Sequence, residues 1–208
     1  MIVEEDFADR IRSSFFSLFE RERSPNSIHI SALPFCLRKE YFNIQFHANQ
    51  TPTPAMVAGK IHHLSIRHLD YFKGKDAHFE VELKAPLTDD WILSGRADAI
   101  AGRTLYEFKF SKRLDGRDLD LFYFAQANAY AVMADCDSYV LVKVNRETYD
   151  VRALQGVTDS EAFNVLKKRA LTLVECLRQG EIPEGPEQEW ECKNCAYSVI
   201  CRRIKDEV

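Results

Sequence analysis

The sequence predicts an α/β (α+β) fold, a mixed sheet flanked by helices, and three observations predict it. Strand-like segments follow one another at 77–86, 91–100 and 104–110. A helical segment at 118–134 leads into a further apolar strand, Ser138–Val144. A long helix then runs from Thr158 to about Gln179. A strand meander followed by alternating helices and strands is the order expected when helices cover a sheet.

The elements follow in chain order. Residues 5–20 form an amphipathic pattern with Phe7, Ile11, Phe15, Leu18 and Phe19 on one side. Arg21 to Asn26 is polar, contains Pro25 and reads as a loop. A short helix starts near Ser31 and carries Cys36, Leu37, Tyr41 and Phe42. Thr51-Pro52-Thr53-Pro54 is a connector, and the helix after it extends to about Phe72. Between the second and third strands, Ala101-Gly102-Arg103 supplies the glycine that a tight hairpin needs. Glu147–Ala153 reads as a further strand, and Thr158 with Glu161 has the spacing of a capping box. Gly180, Pro183, Gly185 and Pro186 end the last long helix, and Glu187–Val208 is a cysteine-rich tail. The organisation expected is one domain over 1–208. Within it lie a helical part at 1–50 with Cys36, a core at 55–180 and the tail at 187–208.

The bulk numbers narrow the function. Hydrophobic residues make up 46% of the 208, enough for a substantial core. No apolar run approaches the roughly 18–20 residues that span a bilayer. The start, Met1-Ile2-Val3-Glu4-Glu5-Asp6, is acidic where a secretory leader would be basic and then apolar. A cytoplasmic protein with no membrane association is expected. The net charge of −4 carries no global nucleic-acid signature, so phosphate contacts would have to be local. Candidates are Lys112, Arg113, Arg117, Arg38, Lys39 and the run Lys167-Lys168-Arg169.

The chemistry concentrates in the hairpin. Gly95-Arg96-Ala97-Asp98 lies on one strand and Glu107-Phe108-Lys109 on the next. Side chains alternate along a strand, so Glu107 and Lys109 share a face and Phe108 takes the other. The hairpin can bring Asp98 beside them. Two carboxylates and a lysine in a small space suit a hard cation and an activated water, the chemistry of metal-assisted phosphodiester hydrolysis. A lysine in such a place can have a lowered pKa and accept a proton. Gln126 and Tyr130 fall one turn apart on the following helix. Upstream, Gly59-Lys60-Ile61-His62-His63 offers an imidazole ligand from either His62 or His63.

These residues, in this order, resemble the RecB-type branch of the PD-(D/E)XK nucleases. The resemblance implies a restriction-endonuclease-like core. It implies that His63, Asp98, Glu107 and the Phe108 carbonyl hold Mg²⁺ or Mn²⁺. Lys109 would orient and deprotonate the attacking water, while Gln126 and Tyr130 support the lysine and the DNA backbone. His63 is taken over His62 because the family pattern places three residues between the glycine and the histidine.

Of six cysteines, Cys192, Cys195 and Cys201 cluster near the C-terminus. A fourth thiolate has to come from Cys36, Cys136 or Cys176. Disulfides are rare inside cells, so a metal site is favoured, and the spacing suits zinc or an iron–sulfur cluster alike. One cysteine before the nuclease motifs and three after them resemble the CRISPR-associated RecB-like exonucleases, the fourth core Cas protein family. The segment Phe35-Cys36-Leu37-Arg38-Lys39-Glu40-Tyr41-Phe42 matches that family too. The likeness runs from about residue 31 to 203. It implies that Cys36, Cys192, Cys195 and Cys201 hold an iron–sulfur cluster, [4Fe–4S] ahead of [2Fe–2S], that clips the tail to the N-terminal helices. Cys136 and Cys176 then read as core thiols.

The resemblance further implies an exonuclease on single-stranded DNA, or on DNA with single-stranded ends. It would trim spacer precursors for a CRISPR integrase complex, with homo-oligomers compatible. The competing readings are a non-catalytic iron–sulfur DNA-binding or assembly subunit, a regulatory zinc or iron–sulfur protein, and a stand-alone repair nuclease. No Gly-x-x-x-x-Gly-Lys-Ser/Thr is present, so the sequence encodes no ATP motor of that kind.

Overall fold

A computed structural model describes residues 5–17, 24–46, 53–115, 117–186, 188–193 and 195–206. Its centre is the meander: β2 (Ala77–Pro86), β3 (Ile92–Ala101) and β4 (Thr104–Ser111). Ala101 pairs with Thr104, so the β3–β4 turn is the two residues Gly102-Arg103. Gly102 takes φ +59°, a conformation that favours glycine. β4 pairs in parallel with β5 (Ser138–Asn145) from Thr104↔Ser138 to Ser111↔Asn145. The crossover between them is α4 (Arg117–Met133). β6 (Val151–Val157) runs antiparallel to β5 and ends the sheet.

One strand pairing opens the site. β2 covers a whole edge of β3, from Ala77↔Ala101 to Pro86↔Ile92. The other edge is shared. A three-residue strand, β1 (Ser27–His29), pairs in parallel with Ile92–Ser94, and β4 pairs only with Ala99–Ala101. Gly95 to Asp98 are left with no strand on that edge, and the site lies there.

The faces follow from alternation. Leu105 packs with Ala127, Ala129 and Ala131 of α4, and with Leu166, Ala170 and Leu173 of α5 (Ser160–Gln179). These three alanines of α4 are fully buried, so the helix can lie close to its neighbours. On the opposite face Phe108 joins Ile66, Phe72, Ala99 and Val144. Asn128 fixes α5 to α4: its amide donates to the Asp159 carbonyl and accepts from the Asp159 N–H, each at 2.8 Å.

Several expectations need correction. The helix expected from Ser31 is a 3-10 turn (Ile30–Ala32), followed by α2 (Leu37–Gln45) with Cys36 as its N-cap. Pro34 has no N–H to give and breaks the run. The helix expected to reach Phe72 ends earlier, as α3 (Pro54–Ser65). Two 3-10 turns follow, separated at extended Leu69, and they bury Ile66 and Phe72. β6 starts at Val151 rather than Glu147. Asn145 Oδ1 accepts from the N–H groups of Glu147 and Thr148, and its carbonyl accepts from Tyr149, which curls this stretch into a turn. The cap of α5 is Asp159, whose carboxylate accepts from Glu161 and Ala162, and Thr158 donates instead to the Cys136 carbonyl.

The N-terminal helix, α1, spans Glu5–Ser17, and Ile11 and Phe15 on it are exposed rather than core-facing. Leu18, Phe19 and the Thr51-Pro52 part of the connector lie outside the described residues, as does the side chain of Phe7. Among the described residues no helix is long and apolar enough to cross a membrane.

Candidate nuclease site

Beyond Ala99↔Tyr106, β3 and β4 part, and the Asp98 side chain spans the gap. Its Oδ2 accepts from the Phe108 N–H at 2.7 Å, in place of a ladder hydrogen bond. Its Oδ1 lies 2.9 Å from His63 Nδ1, which brings α3 to the sheet. His62 turns elsewhere and stacks on Phe110 with ring centroids 4.9 Å apart. Of the two histidines, His63 is the one at the aspartate.

Glu107 and Lys109 face α4, as the alternation predicts. Lys109 Nζ donates to Glu107 Oε1 at 2.7 Å and to Gln126 Oε1 at 3.1 Å. Gln126 Nε2 donates to the same Glu107 oxygen at 2.8 Å. Tyr130, one turn further along α4, is buried against Gly95; a Cβ on Gly95 would stand 2.3 Å from the Tyr130 ring. Glycine is required there by close approach, not by its backbone angles. All seven residues expected at the site, His63, Asp98, Glu107, Phe108, Lys109, Gln126 and Tyr130, therefore fall in one neighbourhood.

The electrostatics are unbalanced. Glu107 is 2% exposed, and its second oxygen, Oε2, is buried with no hydrogen-bond partner among the described residues. Burial, and next the Asp98 carboxylate, push the Glu107 carboxyl up to about 7 against the pull of Lys109 and His63. Burial pulls the Lys109 ammonium down, but Glu107 and Asp98 outweigh it and hold the ammonium above its ordinary value. The expectation of a lowered lysine pKa is not met in this state, because two carboxylates stand beside it. Burial, then Glu107, raise the Tyr130 phenol to about 12, so it remains protonated.

Some contributors were not read from the sequence. Tyr123 places its ring 4.9 Å from Lys109 Nζ. It lies three residues before Gln126 and seven before Tyr130, a helical spacing that could have flagged it. Lys143, beside Lys109 in the β4–β5 register, is buried and donates to Asp120 Oδ1 and to the Leu114 carbonyl, tying the start of α4 to β5. Two candidate phosphate contacts are engaged elsewhere. Arg169 donates to the carbonyls of Leu33 and Phe35, and Arg38 to that of Pro183. Lys112 pairs with Glu147 on the surface.

The cysteine tail docks on α2. The Cys36 N–H donates to Glu191 Oε2 at 2.8 Å, and the Tyr197 hydroxyl donates to Asn43 Oδ1 at 2.9 Å. Phe35 stacks on Phe122, which meets the edge of Trp190. A 3-10 turn (Glu189–Cys192) carries Cys192, α6 (Ser198–Asp206) carries Cys201, and Cys195 lies between them. Cys36 lies within electrostatic reach of Cys195, and Cys201 within reach of Cys195 and Cys192. Burial raises the thiols of Cys36 and Cys201, and Arg38 hydrogen-bonds Cys201 and pulls its thiol back. Cys136 is buried, and Cys176 is partly buried against the core.

Two tests bear on what these places could hold. Two carboxylates, one with an oxygen left without a hydrogen-bond partner among the described residues, supply oxygen donors that suit a hard cation, and the His63 imidazole stands at Asp98. Four thiols from separate segments fit a four-sulfur ligand set. Among the described residues, no three His, Cys, Asp or Glu side chains already stand as a closed cage. His63 and Asp98 instead hydrogen-bond to each other.

The chain is 24% identical over 191 residues to the CRISPR-associated exonuclease Cas4 of Saccharolobus solfataricus, a match spanning 86% of this chain and 89% of that protein. The crystal structure of SSO0001 shares the fold with a TM-score of 0.73, at 21% identity over 94% of this chain and 96% of that one. The alkaline exonuclease LHK-Exo of Laribacter hongkongensis shares it at 0.58, with 10% identity over 81% of this chain and 93% of its own. Residues 23–202 match the PD-(D/E)XK nuclease superfamily across the sheet, α4 and most of the cysteine tail, and the chain belongs to that superfamily.

Proposed function

We propose that this superfamily member is a divalent-cation-dependent DNA exonuclease acting on single strands or single-stranded ends. In this reading it prepares DNA for a CRISPR integrase complex. The observation that carries cation dependence is Glu107 Oε2, a buried carboxylate oxygen with no hydrogen-bond partner among the described residues, on a group that the Asp98 carboxylate also pushes up. Leaving a buried acceptor unsatisfied costs about 1–3 kcal/mol, or more for a charged group, and a cation would satisfy it.

His63, Asp98, Glu107 and the Phe108 carbonyl would hold Mg²⁺ or Mn²⁺. A bound cation of this kind polarises the scissile phosphate and lowers the pKa of water. Lys109 aims the attacking water, since Glu107 and Gln126 fix its ammonium from two sides. With both carboxylates ligated, Lys109 would lose the charges that hold its proton, and burial alone pulls an ammonium down. Gln126 keeps Glu107 and Lys109 in register, and Tyr130 packs α4 against Gly95. Water attacks phosphorus and gives a proton to the Lys109 amine, the ester bond to the leaving sugar oxygen breaks, and that oxygen takes up a proton from solvent.

Cys36, Cys192, Cys195 and Cys201 would hold an iron–sulfur cluster, with [4Fe–4S] favoured by the family likeness. Its role here is structural, since it joins α2 to the tail and Lys109 lies elsewhere in the fold.

The test is anaerobic purification and an assay on 5′- and 3′-labelled single-stranded DNA with Mn²⁺ or Mg²⁺, beside Lys109→Ala. Cation-dependent cleavage by the wild type alone supports the reading, and the product ladder gives polarity. Absence of cleavage by either protein, with the cluster intact by absorbance, would replace it with a non-catalytic DNA-binding or assembly subunit.

A further inference from the structure

The cavity beside Asp98, Glu107 and Lys109 has a volume of about 690 Å³, and Lys60, Glu80 and Arg96 line it as well. Glu80 Oε2 is 2.6 Å from Arg96 Nη1 and 3.7 Å from Lys60 Nζ. The three side chains are 18%, 28% and 14% exposed, shielded but reachable from the cavity.

Glu80 is an unusual residue for a strand. It has φ +54°, in the left-handed region. The β2–β3 register runs through Phe79↔Ala99 and Val81↔Ala97, so Glu80 stands opposite Asp98, and that one pair is missing from the ladder. A glutamate in this conformation is strained by roughly 1 kcal/mol or more, and such strain concentrates at functional sites. What the strain accompanies is visible: the carboxylate meets the arginine and the lysine.

We propose that Arg96 and Lys60 form a seat for a DNA backbone phosphate next to the scissile one, and that Glu80 occupies this seat in the free protein. The inference rests on the nuclease reading above and assigns the substrate contact that reading lacks. Arg96 and Asp98 are two residues apart on one strand, and both line the same cavity. A phosphate on Arg96 would therefore belong to the nucleotide beside the one at the centre. A guanidinium matches two phosphate oxygens at once, and lysine adds a point charge. Glu80 keeps the two cations apart and oriented until a phosphate displaces it.

The experiment measures binding of a fluorescent oligothymidylate by anisotropy over a range of salt, with Ca²⁺ present. Manganese-dependent cleavage is assayed in parallel. The proteins are the wild type, Arg96→Ala, Arg96→Lys, Lys60→Ala and Glu80→Gln, each checked by thermal melting. Arg96→Ala and Lys60→Ala are each expected to weaken binding about tenfold. Each should lower the slope of log affinity against log salt by about 0.7, the value of one phosphate contact on a single strand. Arg96→Lys is expected to restore the slope. Glu80→Gln is expected to tighten binding severalfold, since it removes the competing charge but keeps the size of the side chain. A structural strut would respond differently, with Glu80→Gln weakening binding as much as Arg96→Ala. That result, or an unchanged salt slope in both alanine variants, overturns the seat while wild-type cleavage leaves the nuclease reading standing. A wild type that neither binds nor cleaves the DNA overturns both.

Discussion

Asp98, Glu107, Lys109, Gln126 and Tyr130 are placed by strand register and one helix, and every one of them is fixed by a short hydrogen bond or a close ring contact. Cys36, Cys192, Cys195 and Cys201 are gathered by a hydrogen bond across 155 residues, a few aromatic contacts and a short helix. The first region is organised before any cation arrives. The second brings its thiols within electrostatic reach of one another only through a docked tail. A sheet can fix side chains to fractions of an ångström through its own ladder, whereas a docked tail has no ladder and depends on what joins it. In the proposed reading the cation therefore compensates charge in a site already built, while the cluster completes the fold.

The sharpest break of this comparison is Lys109→Ala. It should lower cleavage by about 10²–10⁴-fold, the usual worth of a positioned proton-transfer group. The visible absorbance should stay close to wild type, because Lys109 lies apart from the tail. A parallel loss of absorbance would show that the two regions are one cooperative unit. Next in size is Cys195→Ser. It should lose iron and colour together with roughly 3–5 kcal/mol of stability, the range for a link that closes a loop of about 160 residues. A colourless variant as stable as wild type, by denaturant melts under anaerobic conditions, would remove the structural role of the cluster.

Glu107 gives a pH test with a definite sign. Its carboxyl is at about 7 in the folded protein against an ordinary 4.5. The folded cation-free protein therefore takes up a proton between these values that the unfolded chain does not. That contribution is fully present below about pH 4.5 and is lost as pH rises through 7, amounting to roughly 3 kcal/mol at most. The cation-free protein should melt at a higher temperature at pH 5.5 than its other groups alone would give. Mn²⁺ should stabilise it more at pH 8 than at pH 6, since protons and cation compete for Glu107. Cleavage should fall below about pH 7 for the same reason. Equal Mn²⁺ stabilisation at both pH values would separate Glu107 from the cation site.

Much of the sheet was legible because alternation is a local signal. Ala77–Pro86 begins and ends where the sequence places it, and β3, β4, β5 and α4 differ from expectation by a residue. The same alternation put Glu107 and Lys109 on one face and Phe108 on the other. Elements defined by distant contacts were missed. β1 is three residues long, and only pairing with Ile92–Ser94 makes it a strand. Thr158 had the spacing of a cap, but a free carbonyl on Cys136 claims its hydroxyl and leaves the cap to Asp159. The positive φ of Glu80 has no sequence signal at all, since glutamate rarely takes that conformation.

Gly95→Ala is the mildest test and the one that probes how the organised region is held. The added Cβ would stand 2.3 Å from the Tyr130 ring, so the ring or α4 has to move. Gln126 rides on the same helix and bonds both Glu107 and Lys109, so a small shift of α4 reaches the centre without altering any of its groups. The expected cost is about 1–3 kcal/mol of stability, the usual range for overpacking a core. Cleavage should fall by more than that loss of stability explains, since a misplaced positioning group costs turnover directly. Gly95→Ala paired with Tyr130→Ala removes the clash, and partial recovery of the melting temperature without recovery of cleavage would assign the packing to the glycine and the positioning to the tyrosine. Full recovery of cleavage in the double variant would instead reduce Tyr130 to filler and leave Gln126 and Tyr123 to link α4 to the centre.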